Sequence, residues 1–134
     1  MSSFGEAPLV SEDEIVRVVD AFYVKVRRDH VLAPVFERAI APDAWPAHLA
    51  TMYDFWSSVM LTSGRYHRDA LGAHRKHPLQ PEMFNRWLTL WGETADALFE
   101  PDLAAQLRAK AERIGESLKL GLFFRLPPRE RASG

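Results

Sequence analysis

The chain contains no cysteine, and several functional classes are excluded with it. Without thiols there can be no disulfide, no thiolate nucleophile and no cysteine-ligated zinc or iron–sulfur centre. A cysteine-free sequence suits a reducing compartment, so we expect a cytoplasmic protein. Glycine is also scarce, at seven residues, and none of them forms a phosphate-binding loop or the turn around an activated serine.

The sequence also lacks an excess of positive charge and any long apolar run. Lys and Arg number 17 against 18 Asp and Glu, which gives a net charge of −1. Neutralising nucleic-acid phosphates requires a basic excess, and crossing a bilayer takes about 20 consecutive apolar residues. Residues 1–10 lack the basic and then apolar order of a signal peptide. We therefore expect neither nucleic acid nor a membrane as a partner.

What the sequence does contain is helical periodicity. Its 134 residues, 47% of them apolar, suffice for one domain with a core. Ser11 and Glu14 have capping-box spacing, and apolar residues follow at helical intervals, namely Ile15, Val18, Val19, Phe22 and Val26. Because similar stripes recur and no segment alternates with a period of two, the predicted fold class is all-α. It has four substantial helices and a few short ones.

The helix boundaries predict how the chain is organised. We expect Asp43 to cap the second long helix and Gly64 to end it. Asp69 is expected to cap a short helix that ends before Pro78, and Pro81 to open the next long one. The predicted domain spans residues 11–124, between a flexible arm at 1–10 and a polar tail at 125–134.

Residues 45–91 hold every tryptophan of the chain and four of its five histidines, which are Trp45, Trp56, Trp87, Trp91, His48, His67, His74 and His77. A histidine on a short helix, as predicted for His74, is a common iron ligand of haem proteins. From spacing alone, a solvated loop histidine is the more frequent case, and His48 fits an ordinary core-edge residue. A zinc site at His67, His74 and His77 is permitted, but no metal-binding motif or carboxylate supports it.

The order of residues along the chain resembles one known family. The positions that carry the resemblance are Phe22-Tyr23, Asp29, Pro34, Phe36, Trp45, His48, Phe55-Trp56, Tyr66, His74, Phe84 and Trp87-Leu88. Over roughly residues 15–122 this series is similar to the truncated haemoglobins of group III. The resemblance implies a truncated globin fold, a two-over-two helical sandwich around haem b.

The resemblance also implies roles for particular residues. His74 matches the proximal iron ligand, while Tyr23, His48 and Trp87 match distal positions. Further residues implied to line the haem pocket are Phe36, Met52, Phe55, Phe84 and Leu118.

Two points remain open at this stage. The sequence departs from the family pattern just before His74 and in the length that follows it, so His77 remains an alternative ligand. Four cations are available for the haem propionates, and the sequence does not choose among Arg65, Arg68, Arg75 and Lys76.

By the same resemblance the protein would bind O2, NO and CO, with possible NO dioxygenase or peroxidase activity. The sequence has no flavin or nicotinamide domain, so electrons would come from a separate reductase. The alternatives are a haem-based sensor or ligand store, and a haem-free helical interaction module.

Overall fold

A computed structural model describes residues 10–123, and these residues form helices with no strand among them. The helices are α1 Glu12–Val26, α2 Ala33–Ala39, α3 Trp45–Leu61, α4 Ala70–Arg75, α5 Pro81–Leu98 and α6 Pro101–Phe123, with a 3₁₀ turn at Pro42–Ala44. The all-α prediction is confirmed. The tail at 125–134 and all but Val10 of the arm at 1–10 lie outside the described residues.

The four long helices pack as two pairs. Helix α1 contacts α3, and α5 contacts α6, while α1 against α5 and α3 against α6 join the pairs. This is the two-over-two sandwich. No helix formed by residues 10–123 is both long enough and apolar enough to cross a membrane.

Stacked indoles occupy the centre of the core. Trp91 is fully buried and stacks on Trp56, with ring centroids 4.2 Å apart and planes inclined by 13°. Its indole Nε1 donates to the carbonyl of Leu107 at 3.1 Å, which satisfies its one polar atom and ties α5 to α6. Trp91 therefore has a packing role in the core.

Helix α1 begins with the predicted capping box. The Ser11 hydroxyl accepts from the Glu14 backbone N–H at 3.1 Å, and the Glu14 carboxylate accepts from the Ser11 N–H at 2.9 Å. These bonds satisfy two of the backbone donors that a helix start leaves free. The first helix is therefore fixed in register by local sequence, and it presents Phe22 and Tyr23 to the interior.

Both predicted ends of α3 were wrong. Asp43 lies inside the 3₁₀ turn, and the N-cap position falls on Ala44, which makes no side-chain cap bond. Pro42 favours this turn because its ring presets a helical φ angle before the α-helix starts. At the other end the left-handed residue is Thr62, at φ 52° and ψ 37°, and Gly64 lies beyond it at φ 74°.

Thr62 offers a test of this helix end. A β-branched residue in the left-handed region is strained, so we expect Thr62→Gly to raise the free energy of unfolding by about 1 kcal/mol. Urea denaturation of both proteins measures the change. Thr62→Ala is the matched control, because it keeps a Cβ in the strained conformation. An equal gain in both variants would show that backbone strain at this residue is not the cause.

The short helix α4 forms as predicted. Asp69 caps it by accepting from the backbone N–H of Gly72 at 3.0 Å. A side chain at Gly72 would collide with the Asp69 carboxylate, so glycine is what permits this close cap. The helix ends at Arg75, before Pro78, and α5 starts at Pro81. His74 is thus held on a single short helix between two long ones.

Candidate functional site

The core contains a cavity of about 440 Å³ that is lined by residues of all six helices. This volume lies within the usual range for a small-molecule or cofactor site. Every site residue predicted from the sequence lines it, namely Tyr23, Phe36, His48, Met52, Phe55, His74, Phe84, Trp87 and Leu118. The fold thus brings together residues that lie up to 95 positions apart (118 − 23).

His74 is fixed in orientation by its own helix. Its ring Nδ1 lies 2.7 Å from the backbone carbonyl of Ala70, one turn earlier in α4. A carbonyl can only accept, so Nδ1 carries the proton and Nε2 keeps its lone pair. Metal-binding histidines are typically held in this way, because the outer hydrogen bond sets both the tautomer and the ring plane.

His77 also lines the cavity, so position alone does not separate it from His74. The two differ in their surroundings. His77 contributes its backbone N–H to the His74 carbonyl at 3.2 Å, whereas the ring of His74 has a carbonyl partner and lies 6.0 Å from the Phe84 ring. His67 is exposed and is not among the lining residues. Within residues 10–123 no three His, Asp or Glu side chains converge to hold a metal.

His48 is the most unusual polar residue of the site. Its Nε2 is the one buried side-chain nitrogen or oxygen of residues 10–123 that has no hydrogen-bond partner. Aromatic rings surround it, with Tyr23, Trp45 and Phe36 at centroid distances of 5.2, 5.4 and 6.3 Å. Buried polar atoms are nearly always paired. A satisfied core-edge histidine, the ordinary expectation, does not describe this residue.

Burial lowers the pKa of His48 from 6.5 to about 4. An unfolded chain protonates near pH 6.5 and the folded one only near pH 4, so stability is lost as the pH falls between these values. We expect the ring proton resonances of His48 to titrate near pH 4 by NMR. His48→Gln assigns the resonance and should weaken the pH dependence of unfolding. A midpoint near 6.5 would show that the imidazole is solvated instead.

Tyr23 and Trp87 supply hydrogen-bond donors at the cavity. Tyr23 is 7% exposed, and burial raises the pKa of its phenol, so the hydroxyl stays protonated at any physiological pH. Trp87 is half-buried, with its ring 6.0 Å from that of Phe22. An indole nitrogen can only donate.

Of the four cations that the sequence offered, the cavity is lined by Arg68 alone. Arg65 pairs instead with Glu12 at 2.7 Å and with Asp54 at 3.3 Å. Arg75 and Lys76 are exposed on and after α4. The structure thus distinguishes the cation that lines the cavity from those that do not, which the sequence alone could not do.

Sequence reasoning missed several lining residues. The apolar and small ones include Leu32, Val35, Ile40, Ala47, Trp56, Met83 and Ile114. Two of them had a signal: Trp56 follows Met52 by one turn, and Ile114 precedes Leu118 by one turn. Leu32 and Val35 also had one, because with Phe36 they recur at helical spacing and are predicted to point inward.

The two-over-two helical arrangement, with an apolar cavity lined by a tautomer-fixed histidine and by the buried Tyr23, is that of the truncated globin fold. Comparison with known proteins shows which of them the chain is similar to. The chain is 28% identical over 117 residues to the group 3 truncated haemoglobin ctb of Campylobacter jejuni. The aligned region covers 85% of this chain and 92% of that protein. The crystal structure of the group III truncated haemoglobin from Campylobacter jejuni matches with a TM-score of 0.80 and 26% identity, over 91% of this chain and 96% of that one.

These matches confirm the resemblance to group III truncated haemoglobins and the truncated globin fold. The similarity to these truncated haemoglobins supports a globin-type haem protein. No family model matches the sequence.

Proposed function

We propose that the protein binds haem b through Nε2 of His74 and takes O2, NO or CO at the iron, with turnover of the bound ligand supported by a separate reductase. The observation that carries the proposal is the ring of His74, whose other nitrogen is fixed by the Ala70 carbonyl while the residue lines a mostly apolar cavity.

The lining fits the chemistry of haem. A porphyrin is flat and apolar, and the cavity wall is mostly aromatic and aliphatic. Two carboxylates at one edge of haem require a cation, and Arg68 is the arginine that lines the cavity. The unpaired Nε2 of His48 supports a polar occupant nearby, since a bound ligand would give it the partner it lacks.

Haem supplies an iron that holds a diatomic ligand and exchanges electrons. The side chains then determine what happens to that ligand. The Tyr23 hydroxyl and the Trp87 N–H are donors in a low-dielectric cavity, where they stabilise negative charge more strongly than water does. His48, which is neutral near pH 7, can gate access or donate to the ligand.

Several donors around one ligand slow its release, which suits chemistry on the ligand better than reversible transport. Conversion of nitric oxide to nitrate and reduction of peroxide both fit an apolar pocket that holds several hydrogen-bond donors. Both reactions need electrons. The described residues form only the helices of a globin-like domain, so a separate reductase would supply them. A haem-free interaction module would place its aromatic residues on the surface, whereas Tyr23 and Phe84 are buried here.

Hemin titration tests the proposal directly. We expect purified protein to take up one equivalent of hemin, with an intense Soret absorbance band that saturates at 1:1. Reduction under CO should then give the sharp band of a histidine-ligated carbonyl complex. Protein that shows no saturable Soret change, although its helical circular dichroism is intact, would contradict haem binding.

A further inference from the structure

The turn between α1 and α2 contains a buried carboxylate outside the cavity. Asp29 is 7% exposed, and its Oδ2 accepts from the backbone N–H groups of Val31 and Leu32 at 3.1 and 3.0 Å. Its Oδ1 accepts from Arg86 Nε at 2.8 Å and from Arg86 Nη2 at 2.6 Å. Asp29 does not line the cavity, so its role is indirect.

This ion pair connects elements that carry the polar residues of the site. Asp29 comes just after α1, which bears Tyr23, and it fixes the backbone of Leu32, a lining residue. Arg86 lies on α5 and directly precedes Trp87. One carboxylate therefore joins the α1–α2 turn to the helix that presents Trp87, across 57 positions of sequence.

The chemistry suits a positioning role. Arg86 makes two charge-assisted bonds to one oxygen, and these are directional as well as strong. Arg86 lowers the pKa of the Asp29 carboxyl below its ordinary value, so the pair stays ionised near neutral pH. Leaving the buried carboxylate unpaired would be costly, which holds the two elements together.

We propose that Asp29 and Arg86 are positioning residues that set the placement of Trp87 relative to Tyr23, and thereby control how strongly both donors act on a bound diatomic ligand. The inference rests on the proposed function, since it concerns the same cavity. It adds a pair of residues that touch neither haem nor ligand and that act through their neighbours.

The test uses hemin-loaded protein and Arg86→Met, which removes the charge and keeps an unbranched apolar stem in place of the arginine's. In the carbonyl complex the iron–carbon and carbon–oxygen stretching bands report polar contacts to the ligand. We expect these bands to shift or split, and O2 release to accelerate about three- to tenfold. Arg86→Lys keeps a charge but loses the paired geometry, so we expect it to fall between Arg86→Met and the wild type.

Arg108→Met is the matched control. Arg108 pairs with Asp96 of α5 at the surface, and neither residue lines the cavity. We expect this variant to keep wild-type CO bands. Arg86→Met is also combined with Trp87→Phe: if Arg86 acts through the indole, its effect on O2 release shrinks or disappears in that background.

The outcomes separate the two levels of the proposal. A wild-type protein that takes up no hemin overturns the proposed function and this inference together. If the wild type takes up hemin but Arg86→Met leaves the CO bands and O2 release unchanged, the inference alone is overturned. This holds even if the variant is less stable, because a purely structural role would lower stability without changing the bands. Should Arg86→Met not fold, wild-type bands in Arg86→Lys overturn it equally.

Discussion

Replacing His74 by alanine should abolish the five-coordinate, histidine-ligated ferrous spectrum of the hemin-loaded protein, whereas His77→Ala should leave it intact. Both residues line the cavity, and His74 has its Nδ1 fixed by the carbonyl of Ala70, 2.7 Å away. That bond leaves the lone pair of the neutral ring on Nε2. His74, the proposed ligand, thus differs from His77 in having its ring tautomer and orientation fixed by a hydrogen bond.

The size of the effect follows from what is lost. Removing an outer-shell partner of a metal ligand costs about 10–100-fold in affinity, so removing the ligand itself should accelerate hemin loss by more than about 100-fold. Transfer of hemin to an excess of apomyoglobin measures the rate. Added imidazole should restore the spectrum of His74→Ala by occupying the vacated space. A wild-type spectrum in that variant, with loss in His77→Ala, would reverse the assignment.

Much of the fold could be predicted because local signals agreed with it. The capping box at Ser11 and the cap at Asp69 are hydrogen bonds between residues three positions apart, and both are present. The apolar stripe of α1 repeats every three or four residues and is buried as predicted. The predictions of the two ends of α3 were wrong because other residues nearby determine those ends. Pro42 starts a 3₁₀ turn that includes Asp43, so Asp43 cannot cap α3. At the other end the left-handed conformation is adopted by Thr62, a residue type seldom found in it.

The site was predictable where helical spacing or the family resemblance reached it, and not elsewhere. All nine predicted residues line one cavity, though their haem contacts remain a prediction. The ion pair of Asp29 and Arg86 spans 57 positions and has no periodic signature. The sequence likewise could not identify Arg68 rather than Arg65 as the arginine that lines the cavity, because both lie in one irregular loop. Only the three-dimensional structure shows that Arg65 pairs with Glu12 instead.

His48 and Tyr23, which we propose to act on the bound ligand, also share an electrostatic property that the sequence does not reveal. Burial lowers the pKa of His48 to about 4 and raises that of Tyr23. Both side chains are therefore neutral near pH 7, and they act on a ligand as dipoles rather than as charges. A cavity arranged in this way favours a ligand that acquires partial negative charge, because its donors are already oriented.

Removal of both donors should accordingly have a large effect on ligand release. Each hydrogen bond to a partly charged ligand contributes about 1–2 kcal/mol. Losing one should accelerate O2 dissociation roughly fivefold to thirtyfold, and losing both roughly thirtyfold to several-hundredfold. We therefore expect Tyr23→Phe and Trp87→Phe each to speed release, and the double variant to speed it most. Stopped-flow displacement of O2 by CO measures all three rates.

The comparison between single and double variants tells how the donors work. Two independent hydrogen bonds would multiply their effects, whereas donors that share one ligand atom would show a double effect smaller than the product. Tyr53→Phe is the control, because the Tyr53 hydroxyl donates to Asp20 at 2.5 Å and does not line the cavity. An unchanged off-rate in Tyr23→Phe would remove that hydroxyl from the ligand's surroundings. His48 Nε2, the unpaired nitrogen beside it, would then be the donor to test.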